Sequence, residues 1–545
     1  MDCAPGIADL DESSSSTTGT SSISPIASQC VSLAGLDESY SSPRSFEGQT
    51  IEGRKISDCF DAFFQRYSPH LPILDPSLSP NQYYTLSPFL FWAIVFVGSR
   101  RYERDPTLLG MLAPHINSLA LRSLENRANP IQTIQGLLIL CVWPVPINTM
   151  HKDISNVLSG AALHLAMQIG LHVTHSEQDF ERTKIDTGRL QKISRAHLWI
   201  HCVMICHSTS LREGIPLLML PGASSLGLDA GTVLAEFSEH SRLRWKVHET
   251  VLASTATISK ILGDKAAMSR PNALSPFISI FDAQFAEIMS QSHTMPSTIY
   301  VASCHLHLLA YYLLERSDSP NTPGLLRLYA HACSLIEMVA AEDARNGFLS
   351  TCPVLIERCI GLAAFTILKI VRSSLSNNIN AEEAERAYFS AIRFNRKMML
   401  QGDDLGARGA TLMSQLWTSK NIFKLSNGKT DSLKSRIRSR LSMSIVFDCF
   451  WWWREEFGGQ SSPYREASAA PMDRAEPGPE EVTENERDTA HNEAGSGTIA
   501  YPKYDGSGSE LLAFPEEPFP DYDWAANLDF TDVTWTPNTF TGTIG

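Results

Sequence analysis

An all-α fold is predicted, a multi-helix domain flanked by disordered N- and C-terminal segments, and three observations predict it. Apolar residues recur at helical spacing through the middle of the chain: Val157, Leu158, Ala161, Ala162, Leu165, Ala166 and Ile169 form one such stripe. Breakers separate these stretches at Asn129-Pro130, Pro144-Val145-Pro146, Gly214-Ile215-Pro216 and Ser319-Pro320 with Pro323-Gly324. No series of alternating apolar and polar runs joined by Asn-Gly or Asp-Gly turns is present.

In chain order, the same spacing predicts helices over 88–102, 106–126, 131–142, 157–169, 190–211, 243–262, 297–315, 325–341, 354–373, 381–400 and 432–456. The first contains the strongest apolar run, Phe89 to Val97. It is far shorter than the roughly 20 residues that span a bilayer, and Gly98, Ser99, Arg100 and Arg101 end it. It reads as a buried core helix, and no membrane association is expected. No fixed-period repeat marks a solenoid.

Composition divides the chain into three zones. Residues 1–53 are Ser/Thr-rich, almost wholly so from Ser13 to Thr20, and cannot bury enough apolar surface to offset chain entropy. Residues 54–458 carry the helices. Residues 459–545 are rich in Pro, Gly, Ser and acid, as in Pro477 to Glu484, and are expected to be a disordered acidic tail.

The charge balance limits the functions available. The chain has 545 residues, 43% hydrophobic and 19% charged, with a formal net charge of −14. Phosphate contacts come from Lys and Arg, so a free nucleic-acid binder usually shows a basic balance, and none is present. No positive region followed by an apolar one opens the sequence. With that start, eleven scattered cysteines suggest reduced thiols.

Catalytic motifs are lacking: there is no Gly-x-Ser-x-Gly elbow, no phosphate-cradling loop and no Gly-x-Gly-x-x-Gly after a strand. His248-Glu249 begins like a zinc-protease motif, but Leu252 occupies the place of the second histidine. Asp403-Asp404 and Glu382-Glu383 read as solvated helix or loop surface. His197, His201, Cys202, Cys206 and His207 lie on one predicted helix. His197 and His201 share a face, as do Cys202 and Cys206, but the two pairs point about 100° apart. Trp199, Val203 and Met204 give the helix core character, so packing is expected in place of a metal site. His172 and His175 read as polar-face or cap residues. No catalytic residue, metal ligand or cofactor is assigned.

Four stretches carry a resemblance. His70-Leu-Pro-Ile-Leu-Asp-Pro76 follows an aromatic helix of Phe60, Phe63, Phe64 and Tyr67. Residues 131–143 contain an apolar Gln-x-Leu-Leu-x-Leu helix. Ser159-Gly-Ala-Ala-Leu-His-Leu-Ala-Met-Gln-Ile-Gly-Leu-His172 comes next. The fourth runs from Arg195 through Leu198-Trp199 to Gly214-Ile215-Pro216. Together they resemble the regulatory region, or middle homology domain, of fungal zinc-cluster transcription factors. The opening, with Phe91-Trp92-Ala93-Ile94, looks most like the fungal activators of secreted proteases and weak-acid resistance. Arg195, Trp199, Gly214 and Pro216 are the structural motif residues that the resemblance implies. Departures occur at Cys206-His207, where the family usually carries Asp-Arg, and at Ile200 and Ile215.

The resemblance implies a nuclear regulator of fungal metabolic genes, such as a secondary-metabolite or nutrient-use cluster, and not an enzyme. The alternative is a helical small-molecule-binding protein or an unrecognised enzyme. Family members usually place a six-cysteine zinc cluster at the N-terminus, where two zinc ions need six thiolates. Residues 1–53 offer Cys3 and Cys30, with Arg44 the sole basic residue. DNA contact is therefore expected only indirectly or through a missing cluster, and the partners are coactivators or other transcription regulators, with homo- or heterodimerisation. Lys434, Arg436, Arg438 and Arg440 read as the solvated face of a helix. A candidate activation segment lies within 504–545. There Leu511, Leu512, Phe514, Phe519, Tyr522, Trp524, Leu528, Phe530 and Trp535 are interleaved with acids, and no Lys or Arg follows Lys503.

Overall fold

The computed structural model describes residues 41–125, 128–173, 177–180, 188–217, 234–315, 320–424, 428, 430–460 and 463–464. Both terminal segments expected to be disordered fall largely outside the described residues. The exceptions are the stretch from Ser41 and residues 459–460 and 463–464. Arg44–Phe46 (β1) and Gln49–Ile51 (β2) pair antiparallel, with Phe46 opposite Gln49. Glu47 and Gly48 turn the chain with φ of 46° and 82°, as a tight two-residue hairpin requires. This corrects the expectation of disorder up to residue 53. Strands of three residues are too short to show alternation in the sequence. What holds them is tertiary: Phe46 and Ile51 are buried, and the Phe46 ring lies 4.7 Å from that of Trp92.

Helices follow. The first group is α1 (Gly53–Ala62), α2 (Pro80–Leu86), α3 (Pro88–Ser99), α4 (Thr107–Glu125), α5 (Pro130–Val142), α6 (Ser155–Gln168) and α7 (Arg189–Glu213). The second is α8 (Glu239–Gly263), α9 (Lys265–Met268), α10 (Ser275–Ser290), α11 (Met295–Leu309), α12 (Thr322–Asn346), α13 (Val354–Val371), α14 (Ala381–Met398), α15 (Leu405–Thr418) and α16 (Ser444–Glu456). Starts carry the expected chemistry. Ser79 and Gln82 form a reciprocal capping box at α2, and the Ser87 hydroxyl accepts from the Leu90 amide at 3.2 Å, with Pro80 and Pro88 in the first turns.

The helices enclose two hydrophobic cores. The first surrounds α3, which is buried from Phe89 to Ser99 because α1, α2, α4 and α5 pack around it. A helix enclosed on every side needs no polar face, which explains its continuous apolar run. The second surrounds α13, which contacts α11, α12, α14, α15 and α16. Cross-links join the halves: Trp143 Nε1 donates to the Thr351 carbonyl at 2.9 Å, and Arg101 Nη2 to the Lys397 and Met398 carbonyls at 2.7 and 2.9 Å. Two helices belong to both cores. α7 puts Ala196 to Cys206 in the first and Leu211 in the second, while α8 puts Trp245 in the first and Leu243 and Val247 in the second. α12 is long and apolar enough to cross a membrane by length and composition alone; half of that apolar stretch is buried in the second core.

Four helices have no counterpart in the sequence reading: α2, the one-turn α9, α10 and α15. α15 contains Gly406 and Gly409, which weaken helix propensity. Both lie against Asn395 of α14, where a Cβ would approach to 3.0 and 3.2 Å, so close packing selects the glycines. The expected helix 432–456 is shorter at its start. It begins at Ser444 after a 3-10 turn over Leu441–Met443, and Leu441 has φ of 46°.

Candidate functional site

Of the motif residues implied by the resemblance, Arg195 and Trp199 lie along α7 in the region of the first core, and Gly214 and Pro216 at its far end. Arg195 is buried and its Nη2 donates to the Ile169 carbonyl at 2.6 Å, tying α7 to the end of α6. Trp199 is buried, its ring 5.9 Å from that of half-buried His172. Gly214 caps α7 in the left-handed region (φ 66°), and a Cβ there would lie 2.2 Å from the Arg440 carbonyl oxygen. Glycine is therefore required. Pro216 is exposed just beyond. His175 and the activation-segment residues Leu511, Leu512, Phe514, Phe519, Tyr522, Trp524, Leu528, Phe530 and Trp535 lie outside the described residues.

The histidine–cysteine group on α7 is spread over different surroundings. His197 packs edge-on to Phe237, and the His201 ring hydrogen-bonds the His197 carbonyl at 2.8 Å. Cys202 and Cys206 are buried, and burial pushes both thiols up. His207 stacks on His248, which stacks on Trp245. Among the described residues, no three or more His, Cys, Asp or Glu side chains come together to hold a metal ion.

Two surface assignments need correction. Asp404 is buried: its carboxylate accepts from the amides of Leu400, Gln401 and Ala407 at 2.6, 3.1 and 3.0 Å, capping α15. Only its neighbour Asp403 is exposed. The basic group is not a helix face either. Lys434 is exposed, but Arg436 pairs with Asp448 and Glu455, Arg438 donates to the Leu314 carbonyl, and Arg440 donates to the Glu213 carbonyl at 3.1 Å. These arginines strap an irregular segment onto the second core.

The feature missed by sequence reasoning is a cavity of about 50 Å³ where the two cores meet. Its polar lining is His70, His201, Ser208, Arg212, Arg244 and Tyr300. α7 supplies Arg212 and α8 supplies Arg244, the two helices shared between the cores. Arg212 is 1% exposed and Nη2 meets Asp153 Oδ2 at 3.1 Å, while Nε and Nη1 are buried without a hydrogen-bond partner. Burial pushes the Asp153 carboxyl up, but Arg212 and the Ser155 hydrogen bonds outweigh it and the net shift is down. Arg244 Nη1 donates to the His70 carbonyl at 2.5 Å, the guanidinium lies 4.6 Å over the Tyr300 ring, and Nε has no partner.

The cavity is electrostatically one-sided. Burial lowers the Arg244 pKa, against smaller raising effects of Tyr300 and Cys304; arginine nevertheless stays protonated. Burial, then Arg244 and His240, pulls His70 down to about 3. Burial, then His197, pulls His201 down to about 3. Both imidazoles are therefore neutral near pH 7. Arg244 is half-buried and lines the cavity. A signal existed in the sequence: Arg244 shares a helical stripe with Val247, His248 and Val251, and Arg212 shares one with His201, Ile205 and Ser208. A cation in an apolar stripe marks a buried charge.

Most of this cavity's lining comes from a stretch that comparison with known proteins identifies. Residues 60–221 match the fungal specific transcription factor domain. The regulatory protein LEU3 of Saccharomyces cerevisiae is 20% identical over 481 residues, covering 76% of this chain and 53% of that protein. The transcriptional regulatory protein SEF1 of Candida albicans is 22% identical, covering 74% and 45%. The putative transcription factor SEF1 of Saccharomyces cerevisiae is 31% identical over 169 residues, covering 31% and 14%. The chain thus spans about half or less of the length of these relatives. No solved structure matches it. Within the matched residues 60–221 lie Arg195, Trp199, Gly214, Pro216 and the α7 side of the cavity. Arg244, Tyr300 and the start of α13 lie beyond it.

Proposed function

We propose that this chain is a nuclear regulator of transcription of fungal metabolic genes, a secondary-metabolite or nutrient-use cluster, and that it acts through partner proteins. The observation that carries this reading is the extent of the likeness. Proteins named as transcription regulators align over 73–77% of the chain, well beyond the matched domain. The net charge of −14 favours partners over direct contact with phosphates. The partners are coactivators or other transcription regulators, and the acid-and-aromatic stretch 504–545 is the segment that would recruit them. No enzyme activity is assigned.

The test is localisation on chromatin. A tagged full-length chain, expressed from its own promoter in the source fungus, is cross-linked and its associated DNA sequenced. The reading expects nuclear signal and enrichment at promoters, lost when a recruiting regulator is deleted. A chain that stays outside the nucleus in every growth condition contradicts it.

A further inference from the structure

We propose that Ser439 is a phosphorylation site for an arginine-directed serine kinase, and that its phosphate releases the strap, residues 431–440, from the end of α7. Residues 434–440 read Lys-Ser-Arg-Ile-Arg-Ser-Arg, so Ser439 is framed by Arg436, Arg438 and Arg440. Such a basic frame is the kind of charge pattern by which kinases choose substrates. The fold singles out one hydroxyl. Ser432, Ser435, Ser442 and Ser444 of the same stretch are buried. The Ser432 hydroxyl donates to the Lys369 carbonyl at 2.7 Å, that of Ser442 bonds the His307 ring at 2.7 Å, and that of Ser444 accepts from the Arg440 amide at 3.1 Å. Of these five serines only Ser439 is exposed. Residues 431–440 are neither helix nor strand, so no regular element has to unfold before a kinase engages them.

The surroundings define what a phosphate does there. Arg438 donates to the Leu314 carbonyl and Arg440 to the Glu213 carbonyl at 3.1 Å, and both of these acceptors are neutral. The Arg440 carbonyl lies against Gly214, the C-cap of α7. Ser439 is thus one residue along the chain from a group that touches the negative end of the α7 dipole. A phosphoserine carries about 1.5–2 negative charges. That helix end repels it, while Arg438 and Arg440 gain charge-assisted bonds roughly twice as strong as neutral ones. In the docked strap Arg436 is held by Asp448 and Glu455. A kinase therefore meets the whole frame when the strap lifts, and the phosphate then keeps it from returning. The step transfers the γ-phosphoryl group of ATP: its bond to ADP breaks, a bond to Ser439 Oγ forms, and the hydroxyl proton leaves to the kinase's base. Incorporation and release are measured on the purified chain, without DNA or a reporter, so they stand apart from the regulatory reading.

The experiment incubates the full chain with ATP and protein kinase C, which accepts serines with basic residues on both sides. A synthetic peptide of residues 431–444 is the control for recognition of the sequence itself. Mass mapping is expected to find phosphate on Ser439 in both the chain and the peptide. Hydrogen exchange of the treated and untreated chain then reads the release. The amides of 431–440, and those of Gly214 and Ile215 that close the end of α7, should exchange about tenfold faster after phosphorylation. Ser439→Ala removes an exposed hydroxyl, should fold as the parent does, and should show no such acceleration after the same treatment, which separates Ser439 from any other modified serine. Four results overturn the proposal: an unmodified peptide, a modified peptide beside a chain unmodified at Ser439, unchanged exchange once Ser439 carries phosphate, or equal acceleration in the alanine variant.

Discussion

The Lys369 ammonium and the Asp448 carboxylate meet at 2.6 Å with neither side chain exposed at all. Lys369 also donates to the Ser432 carbonyl at 3.0 Å, while the second Asp448 oxygen accepts from the Arg436 amide at 3.0 Å and from its Nε at 3.4 Å. This centre fastens α13, α16 and the strap before α16. Removing one partner of a buried pair costs about 3–5 kcal/mol because the other charge is orphaned. The two ends are not equivalent. Asp448→Ala orphans Lys369 and leaves Arg436 only Glu455, whereas Lys369→Met leaves Asp448 paired with Arg436. Denaturant unfolding should rank Asp448→Ala as the more destabilising. The reverse order would mean that Arg436 contributes little.

Trp199 is buried in the first core. Trp199→Ala should destabilise by about 3–5 kcal/mol. His197→Gln should leave any regulatory output near that of the parent, because its ring packs edge-on against Phe237. Reporter output measured beside a melting curve separates the two effects. Lost output at unchanged stability in the histidine variant would assign it a functional role.

Two glycines should respond to alanine with opposite sign. Gly214→Ala forces a side chain into the left-handed region and against the Arg440 carbonyl, and should cost about 1–3 kcal/mol or more. Gly110 lies within α4 with nothing within 4 Å of a Cβ, so Gly110→Ala should stabilise by about 0.4–1 kcal/mol. Melting temperatures of the two variants decide.

Acid should unfold this protein from an unusually high pH. Burial lowers His201 and His307 to about 3 each, against about 6.5 when unfolded. The unfolded chain thus binds the extra protons. The stability these groups protect is fully present above pH 6.5 and falls with pH by about 1.4 kcal/mol per unit per histidine, down toward pH 3. Unfolding midpoints from pH 7.5 to 5 should fall steeply. A flat profile would show that these imidazoles are solvated.

Residues 504–545, fused to an unrelated DNA-binding domain, should activate a reporter in a fungal host. Replacing Phe514, Phe519, Trp524 and Phe530 with Ala should abolish most of that activity, and replacing two of the acids with amides should reduce it less. A nuclear, well-expressed but silent fusion would count against recruitment by this segment.

How much was legible follows the range of the forces involved. The helical class and most helix positions are written in local periodicity, as in the Val157 to Ile169 stripe that became α6. The motif order from His70 to Pro216 was legible too, and the domain match covers it. What was not legible depends on distant partners. The Arg44–Ile51 hairpin is held by Phe46 against Trp92, and α15 forms despite two glycines because Asn395 needs the space. The arginines at 436, 438 and 440 are a basic run in sequence and an anchor in space. The cavity brings together Arg212 and Arg244 from separate helices, and only the fold does so.

The regulatory role is tested most directly by deleting the gene and sequencing transcripts under several nutrient conditions. The proposed function predicts a coherent set of metabolic genes, adjacent or sharing a pathway, that changes on deletion and returns on complementation. An unchanged transcriptome in every condition, with the protein demonstrably expressed in the parent strain, would contradict it.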